Sequence, residues 1–264
     1  MVKLSVNKLV FSYGNAFSLE DISFSVTKGQ ICAILGPNAS GKTTLIKCVA
    51  GVLSKGSGII SFDDRNADEL TERELSRMLA YVPQIHEATF PYTVMDMVLM
   101  GRNPYIGYFS MPKREDLDKC LTALTTLKME CVKDDVFTEI SSGQQKMVLI
   151  ARALAQETPI ILLDEPTAHL DFRNKLLVLK NIKNLVKEKD VSVLLSLHDP
   201  NEVSLIADHT IIMNNGEIIS QGKTEAVLTS QVIKEIYGVD AELLDAGERK
   251  VFVPSLDSMK SDFP

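Results

Sequence analysis

The chain has 264 residues, enough for one large domain or two small ones, and enough to bury a core without disulfides or metal. Its hydrophobic share of 45% and charged share of 24% are those of an ordinary globular protein, and 28 Lys plus Arg against 35 Asp plus Glu leave a formal charge of −7, which counts against a generic nucleic-acid binder. No stretch nears the roughly 18 apolar residues of a membrane helix. The alternating N-terminus lacks the apolar block of a signal peptide, so the expectation is a chain that neither spans a membrane nor is exported.

Strand-like and helix-like segments alternate over most of the length, the pattern of an α/β fold. Ile22, Phe24 and Val26 alternate before a Lys28-Gly29 turn, and residues 31–35 form a short apolar run, as a buried strand does. A helix is predicted over 43–49, then a turn at 56–58 and a strand over 59–62. Residues 93–100, 113–128 and 142–155 read as helices, with a loop rich in Pro, Gly and aromatics over 101–112. The stretch of about 85–155 is therefore predicted as a mainly helical insertion. Residues 160–163 return to an apolar strand. The next helix, over 171–187, is predicted to bury a stripe at 172, 176, 179, 182 and 186. A buried strand over 191–197 is followed by a hairpin, 210–213 and 217–220 about Asn214-Asn215-Gly216. One helix is predicted over 224–237, a last hairpin around Gly247, and a loose tail over 255–264. Cys32, Cys48, Cys120 and Cys131 form no CxxC pair and the four histidines do not cluster, so no metal held by protein ligands alone is expected. Cys32 and Cys48 read as buried small hydrophobes.

The chemistry concentrates in a few segments. Gly36, Pro37, Asn38, Ala39, Ser40, Gly41, Lys42 and Thr43 fit G-x-x-x-x-G-K-[ST] between an apolar strand and a helix. Glycines let the backbone curl so that successive N–H groups face phosphate oxygens, and the helix start adds partial positive charge. Lys42 supplies a full charge, and the Thr43 hydroxyl suits Mg²⁺ bridging the phosphates. The strand at 160–163 ends in Asp164 and Glu165, a carboxylate for the Mg²⁺ shell and one to polarise an attacking water. Both motifs sit where open α/β sheets gather their ligands, at the carboxyl ends of strands. Ser141, Ser142, Gly143 and Gln144 open a helix, which is a cap and also an anion-binding geometry.

In order, these motifs resemble the nucleotide-binding subunit of ABC transporters over roughly residues 3–253. Val82-Pro83-Gln84 looks like the Q-loop, Ile140 to Gln144 like the LSGGQ signature, Asp164-Glu165 like the Walker B end, Ala168-His169-Leu170-Asp171 like the D-loop, and His198 like the H-loop. The resemblance implies a P-loop NTPase (RecA-like) α/β core with an N-terminal antiparallel β-subdomain and a helical subdomain, as one domain over 1–254. It implies an ATPase using ATP and Mg²⁺. Tyr13 would stack on adenine, and residues 36–43 with Thr44 would hold the phosphates. Thr43, Gln84 and Asp164 would serve the metal, and Glu165, His198, Gln84 and Lys42 the catalysis. Ser141, Ser142, Gly143 and Gln144 would meet the γ-phosphate on the other subunit of a homodimer, and Asp171 would cross that interface. Four positions depart from the family pattern, one of them Thr44 where Ser is usual. Ala39 replaces a frequent Gly and is tolerable if its φ stays negative. Ile140 replaces Leu, and Ser142 replaces the first Gly of the signature pair.

Thr93-Val94 through Gly101-Arg102-Asn103-Pro104, and the C-terminal Val251-Phe252-Val253-Pro254, are similar to importers of iron–siderophore complexes, haem and cobalamin. That resemblance implies a chain on the cytoplasmic face of the membrane, docked to a permease near Gln84 and residues 86–110. It would serve a substrate-binding protein indirectly and bind no nucleic acid. Importers of molybdate or another metal ion share part of the pattern. A soluble ABC ATPase of translation or DNA repair is a rival, as is a subunit that binds ATP but hydrolyses it poorly.

Overall fold

The computed structural model describes residues 2–14, 17–84, 90–107, 109–246 and 249–255. Its elements run β1 (Val2–Ser12), β2 (Ser18–Thr27), β3 (Ile31–Leu35), α1 (Lys42–Val49), β4 (Ser57–Phe62), β5 (Arg65–Asn66), α2 (Glu72–Met78), β6 (Leu79–Val82), α3 (Val94–Leu99), α4 (Arg114–Thr126), α5 (Ser142–Ala155), β7 (Ile160–Leu163), α6 (Phe172–Lys189), β8 (Ser192–Leu197), α7 (Pro200–Ile206), β9 (His209–Asn214), β10 (Glu217–Lys223), α8 (Thr224–Val227), α9 (Ser230–Tyr237), β11 (Ala241–Ala246) and β12 (Arg249–Pro254).

A six-stranded sheet of order β10-β9-β3-β8-β7-β6 is parallel except for the β9–β10 hairpin. Its central strands β3, β8 and β7 are buried throughout and, Ser192 and Ser196 of β8 apart, apolar, because both faces are covered. Alternate side chains of β3 enter two cores. Ile31, Ala33 and Leu35 face the helices, whereas Cys32 and Ile34 face α1 and the N-terminal strands. Those strands form an antiparallel sheet of order β2-β1-β4-β5. The fold is thus the P-loop α/β core with an antiparallel N-terminal sheet, and α3, α4 and α5 pack on one another beside it.

The helices start where local chemistry says they should. Thr71, Thr93 and Ser141 each cap a helix and are met in return by Glu74, Asp96 and Gln144, closing capping boxes. Two sequence expectations need correction. The helix over 224–237 is two helices: buried Leu228 leaves helical geometry and Thr229 caps the second one. The stripe of α6 is shifted: Val178, Leu179, Ile182, Leu185 and Val186 are buried, while Phe172 is 79% and Leu176 40% exposed. Periodicity finds an apolar face but not where its covering ends. Helix α2 and strand β6 went unpredicted because α2 buries no residue and β6 has only four. The tail beyond Ser255 lies outside the described residues.

The Gly101-Arg102-Asn103-Pro104 stretch is a structural knot. Arg102 is 2% exposed, donates to Asp116 Oδ1 at 3.1 Å, to the Ala155 carbonyl at 2.7 Å and to Glu157 at 2.9 Å, and lies over the Tyr105 ring. The Pro104 carbonyl accepts from Arg73 and Arg77 of α2, which precedes β6 in the sheet. One arginine therefore holds the α4 start, the α5 end and the loop after α3. Arg102→Ala leaves the buried Asp116 carboxylate short of its cation. Urea unfolding should show a loss of about 3 kcal/mol.

Candidate active site

Parallel pairing places Leu35 beside Leu197, Leu195 beside Leu163, and Leu163 beside Val82, so β3, β8, β7 and β6 end along one edge. The residues that follow these ends are the phosphate loop, His198, Asp164-Glu165 and Gln84. Four separate sequence motifs thus meet at one carboxyl edge.

The loop itself is tightly curled. Gly41, at φ +103°, opens α1 in a conformation closed to most side chains, with Leu19 and Phe17 against its Cα. Ala39 sits at φ +63°, so the condition set for its methyl fails and the loop carries a strained residue. Lys42 is 4% exposed, and its ammonium donates to the Gly36 and Pro37 carbonyls, both at 2.9 Å. Burial pulls its pKa below the ordinary lysine value, against the opposing pull of Glu165 and Asp164. The loop therefore presents a charge that has already lost much of its water. An incoming phosphate meets it at little further desolvation cost.

Behind the loop lies a buried carboxylate. Asp164 is 1% exposed, and its Oδ1 accepts from Thr43 Oγ1 at 3.0 Å and Ser196 Oγ at 2.8 Å. Ser196 in turn accepts from the Glu165 N–H at 2.8 Å. Glu165 holds φ +44°, a strained turn immediately after the strand. Its Oε2 accepts from Gln84 Nε2 at 2.7 Å. Lys146 of α5 donates to the Gln84 carbonyl at 2.8 Å. This lysine is 7% exposed, and its burial lowers its pKa against the pull of Asp164 and Glu165.

His198 is exposed at the end of β8, and its carbonyl accepts from the Tyr237 hydroxyl at 3.0 Å. Tyr13 is 48% exposed and packs edge-on against Phe11. Thr44 lies within α1. The motif at 141–144 stands apart: no hydrogen bond or ion pair among the described residues joins it to the phosphate loop. Ser141 and Gln144 satisfy each other in the cap, and Ser142 is exposed. Gly143 faces Asn174, whose amide would lie 2.9 Å from an added Cβ. Asn174 binds both carboxylate oxygens of Asp171, which caps α6. The 141–144 motif and Asp171 therefore form one cluster, separate from the carboxyl edge.

Sequence reasoning missed Ser196, Lys146, Asn174 and Tyr237. Two of these left a trace. Ser196 is a polar residue inside an apolar strand, and Lys146 interrupts the apolar face of α5. Asn174 and Tyr237 left none, because their partners are set by tertiary packing.

The family model described as "ABC transporter" matches residues 19–168. A Helicobacter pylori protein assigned as an iron chelatin transport ATP-binding protein is 37% identical over 91% of this chain and 95% of its own length. The iron(3+)-hydroxamate import ATP-binding protein FhuC of Bacillus subtilis is 30% identical over 99% and 98%. The molybdate import ATP-binding protein MolC of Haemophilus influenzae is 35% identical over 89% and 87%. A solved inward-facing transporter assigned to the metal-chelate ABC type superposes with a TM-score of 0.86 at 32% identity, covering 97% of this chain and 98% of that one.

Two substitutions read out the site's internal strain and satisfaction. Ser196→Ala leaves the Glu165 N–H without its acceptor and Asp164 with one donor fewer, Thr43 alone remaining on its Oδ1, and chemical denaturation should show a loss of about 1–3 kcal/mol. Ala39→Gly releases the left-handed strain at the expense of backbone entropy, and should raise stability by up to about 1 kcal/mol.

Proposed function

This chain belongs to the ATP-binding subunits of ABC transporters, and from that premise we propose that two copies of it close around two ATP molecules and drive a separate membrane permease that takes up a metal chelate. The observation that carries the proposal is the network Thr43–Asp164–Ser196 with Gln84–Glu165, set directly behind a curled loop with a buried lysine.

Residues 36–43, through every loop N–H but that of Pro37, which has none, take the nucleotide phosphates with Lys42 and Thr44, and Tyr13 stacks on the adenine. Among the described residues no group of three or more His, Cys, Asp or Glu is placed to hold a metal. A hydroxyl, a carboxylate and an amide oxygen from Thr43, Asp164 and Gln84 are hard donors that fit Mg²⁺, a cation that fills its shell with water and phosphate oxygens. Bound there, the ion would offset charge on the β- and γ-phosphates. Glu165 accepts a proton from the attacking water. Gln84 holds one of its oxygens at 2.7 Å, and the other accepts no hydrogen bond among the described residues. His198 contacts the γ-phosphate from the neighbouring strand end.

Ser141, Ser142, Gly143 and Gln144 open a 14-residue helix and have no tie to their own phosphate loop. In this reading they meet the γ-phosphate bound to the other subunit, where the helix start favours negative charge. Ser142 adds an exposed hydroxyl donor at that point. Asp171, beside Gly143 through Asn174, crosses the same interface. Closure needs the γ-phosphate, so hydrolysis opens the dimer, and the permease reads the movement as alternating access.

No helix among the described residues is long and apolar enough to cross a membrane. Exposed Phe90, Tyr92, Phe109 and Met111 offer an apolar surface to a permease helix at the cytoplasmic face. Within the expected docking loop, residues 86–89 and 108 lie outside the described residues. A substrate-binding protein would deliver the cargo to the permease, not to this chain. The names of the Helicobacter and Bacillus relatives favour an iron chelate. The Haemophilus relative favours a second reading, molybdate.

Glu165→Gln keeps the shape and removes the base. ATP should then trap a stable dimer on size exclusion, with turnover lowered by about 10² to 10⁴. A monomer in ATP, or a wild type without ATP turnover, would sink the proposal.

A further inference from the structure

Lys146 and Lys42 are the buried lysines among the described residues. Lys42 has a phosphate to serve. Lys146 has no such duty, and taking an ammonium out of water costs several kcal/mol. Its helix is otherwise apolar inward, with Met147, Val148, Leu149, Ile150 and Ala151 all buried. An unbranched apolar side chain would fill the same space without that cost. Packing therefore does not explain the lysine.

Its single hydrogen bond among the described residues does. Nζ donates to the main-chain carbonyl of Gln84 at 2.8 Å, and the side chain of the same Gln84 donates to Glu165 at 2.7 Å. Two bonds thus run from α5 to the carboxylate. Lys146 sits little more than one helical turn from Ser141, which opens the helix. A shift or rotation of α5 displaces the Gln84 backbone through a charge-assisted bond, which is shorter and stronger than a neutral one.

We propose that Lys146 is a positioning residue, fastening the backbone of Gln84 to α5 so that the seating of this helix on the partner's nucleotide sets where Gln84 holds Glu165. This rests on the function proposed above. It extends it by giving each hydrolytic site a mechanical line to the other: the helix that closes one site orients the base of its own. Such a residue acts through Gln84 and touches neither nucleotide nor water.

The test is a double-mutant cycle on the full-length chain. kcat and KM for Mg-ATP are measured for wild type, K146M, K146R, Q84A and K146M/Q84A, with thermal unfolding of each. K146M should lower kcat about ten- to hundredfold, the scale of a misplaced catalytic group, with KM changed less than about twofold. K146R, which keeps a cationic donor, should recover most of kcat. In the Q84A background, where the side chain that reaches Glu165 is gone, K146M should change kcat less than about twofold. An equal loss in both backgrounds, or a folded K146M with wild-type kcat, overturns the proposal. K146Q, too short to reach the carbonyl, replaces K146M in the cycle should the methionine variant not fold. An inactive wild type defeats the ATPase reading itself, whereas an active wild type with an equally active K146M defeats only the positioning role.

Discussion

Asp164 is buried, and its Oδ1 is shared by Thr43 from the start of α1 and Ser196 from β8. A carboxylate in that position is tolerable only while such donors remain. The sharing constrains three chain segments at once. The phosphate loop must end where Thr43 can reach β7, and β8 must lie between β3 and β7, as the sheet order has it. Ser196 then pins the Glu165 N–H, which fixes the strained turn from which the second carboxylate projects. Loop, acid pair and sheet order are consequences of one satisfied oxygen.

The dimer proposal sets a second helix start, at 141–144, against the partner's phosphate. Gly143 lies against Asn174, which binds Asp171, and no hydrogen bond among the described residues joins 141–144 to the phosphate loop. That separation gives the dimer proposal its physical sense: half of a site faces out on each side of the chain. Arg102 makes the arrangement stiff. It joins α4, the end of α5 and the loop after α3, while Arg73 and Arg77 tie that loop to α2. Movement at the start of α5 is then carried by a braced unit and not absorbed in a slack one.

Much of this was legible in the residues. The phosphate loop and Asp164-Glu165 are contiguous motifs whose chemistry is local, and the apolar runs of β3, β7 and β8 announce a doubly covered sheet. Order along the chain placed Gln84 and His198. What the sequence hid is contact across elements. Nothing local joins Ser196 to Asp164, Lys146 to Gln84, or Tyr237 to the carbonyl of His198. Backbone sign was hidden too. Ala39 looked harmless until its φ proved positive. Phe172 and Leu176 kept the helical period yet stay exposed, because period alone does not say where the neighbouring layer stops.

The claim that each site is built from two chains is open to one direct measurement. Lys42→Ala disables a phosphate loop and spares the signature. Ser141→Arg blocks the signature and spares the phosphate loop. Each pure variant is expected to be inactive. Mixed, they form heterodimers in which one site pairs the intact loop of one chain with the intact signature of the other. ATP turnover should reappear on mixing and rise with the heterodimer fraction. Persistent inactivity in a mixture whose heterodimers are demonstrated would contradict the shared site and return both halves to a single chain.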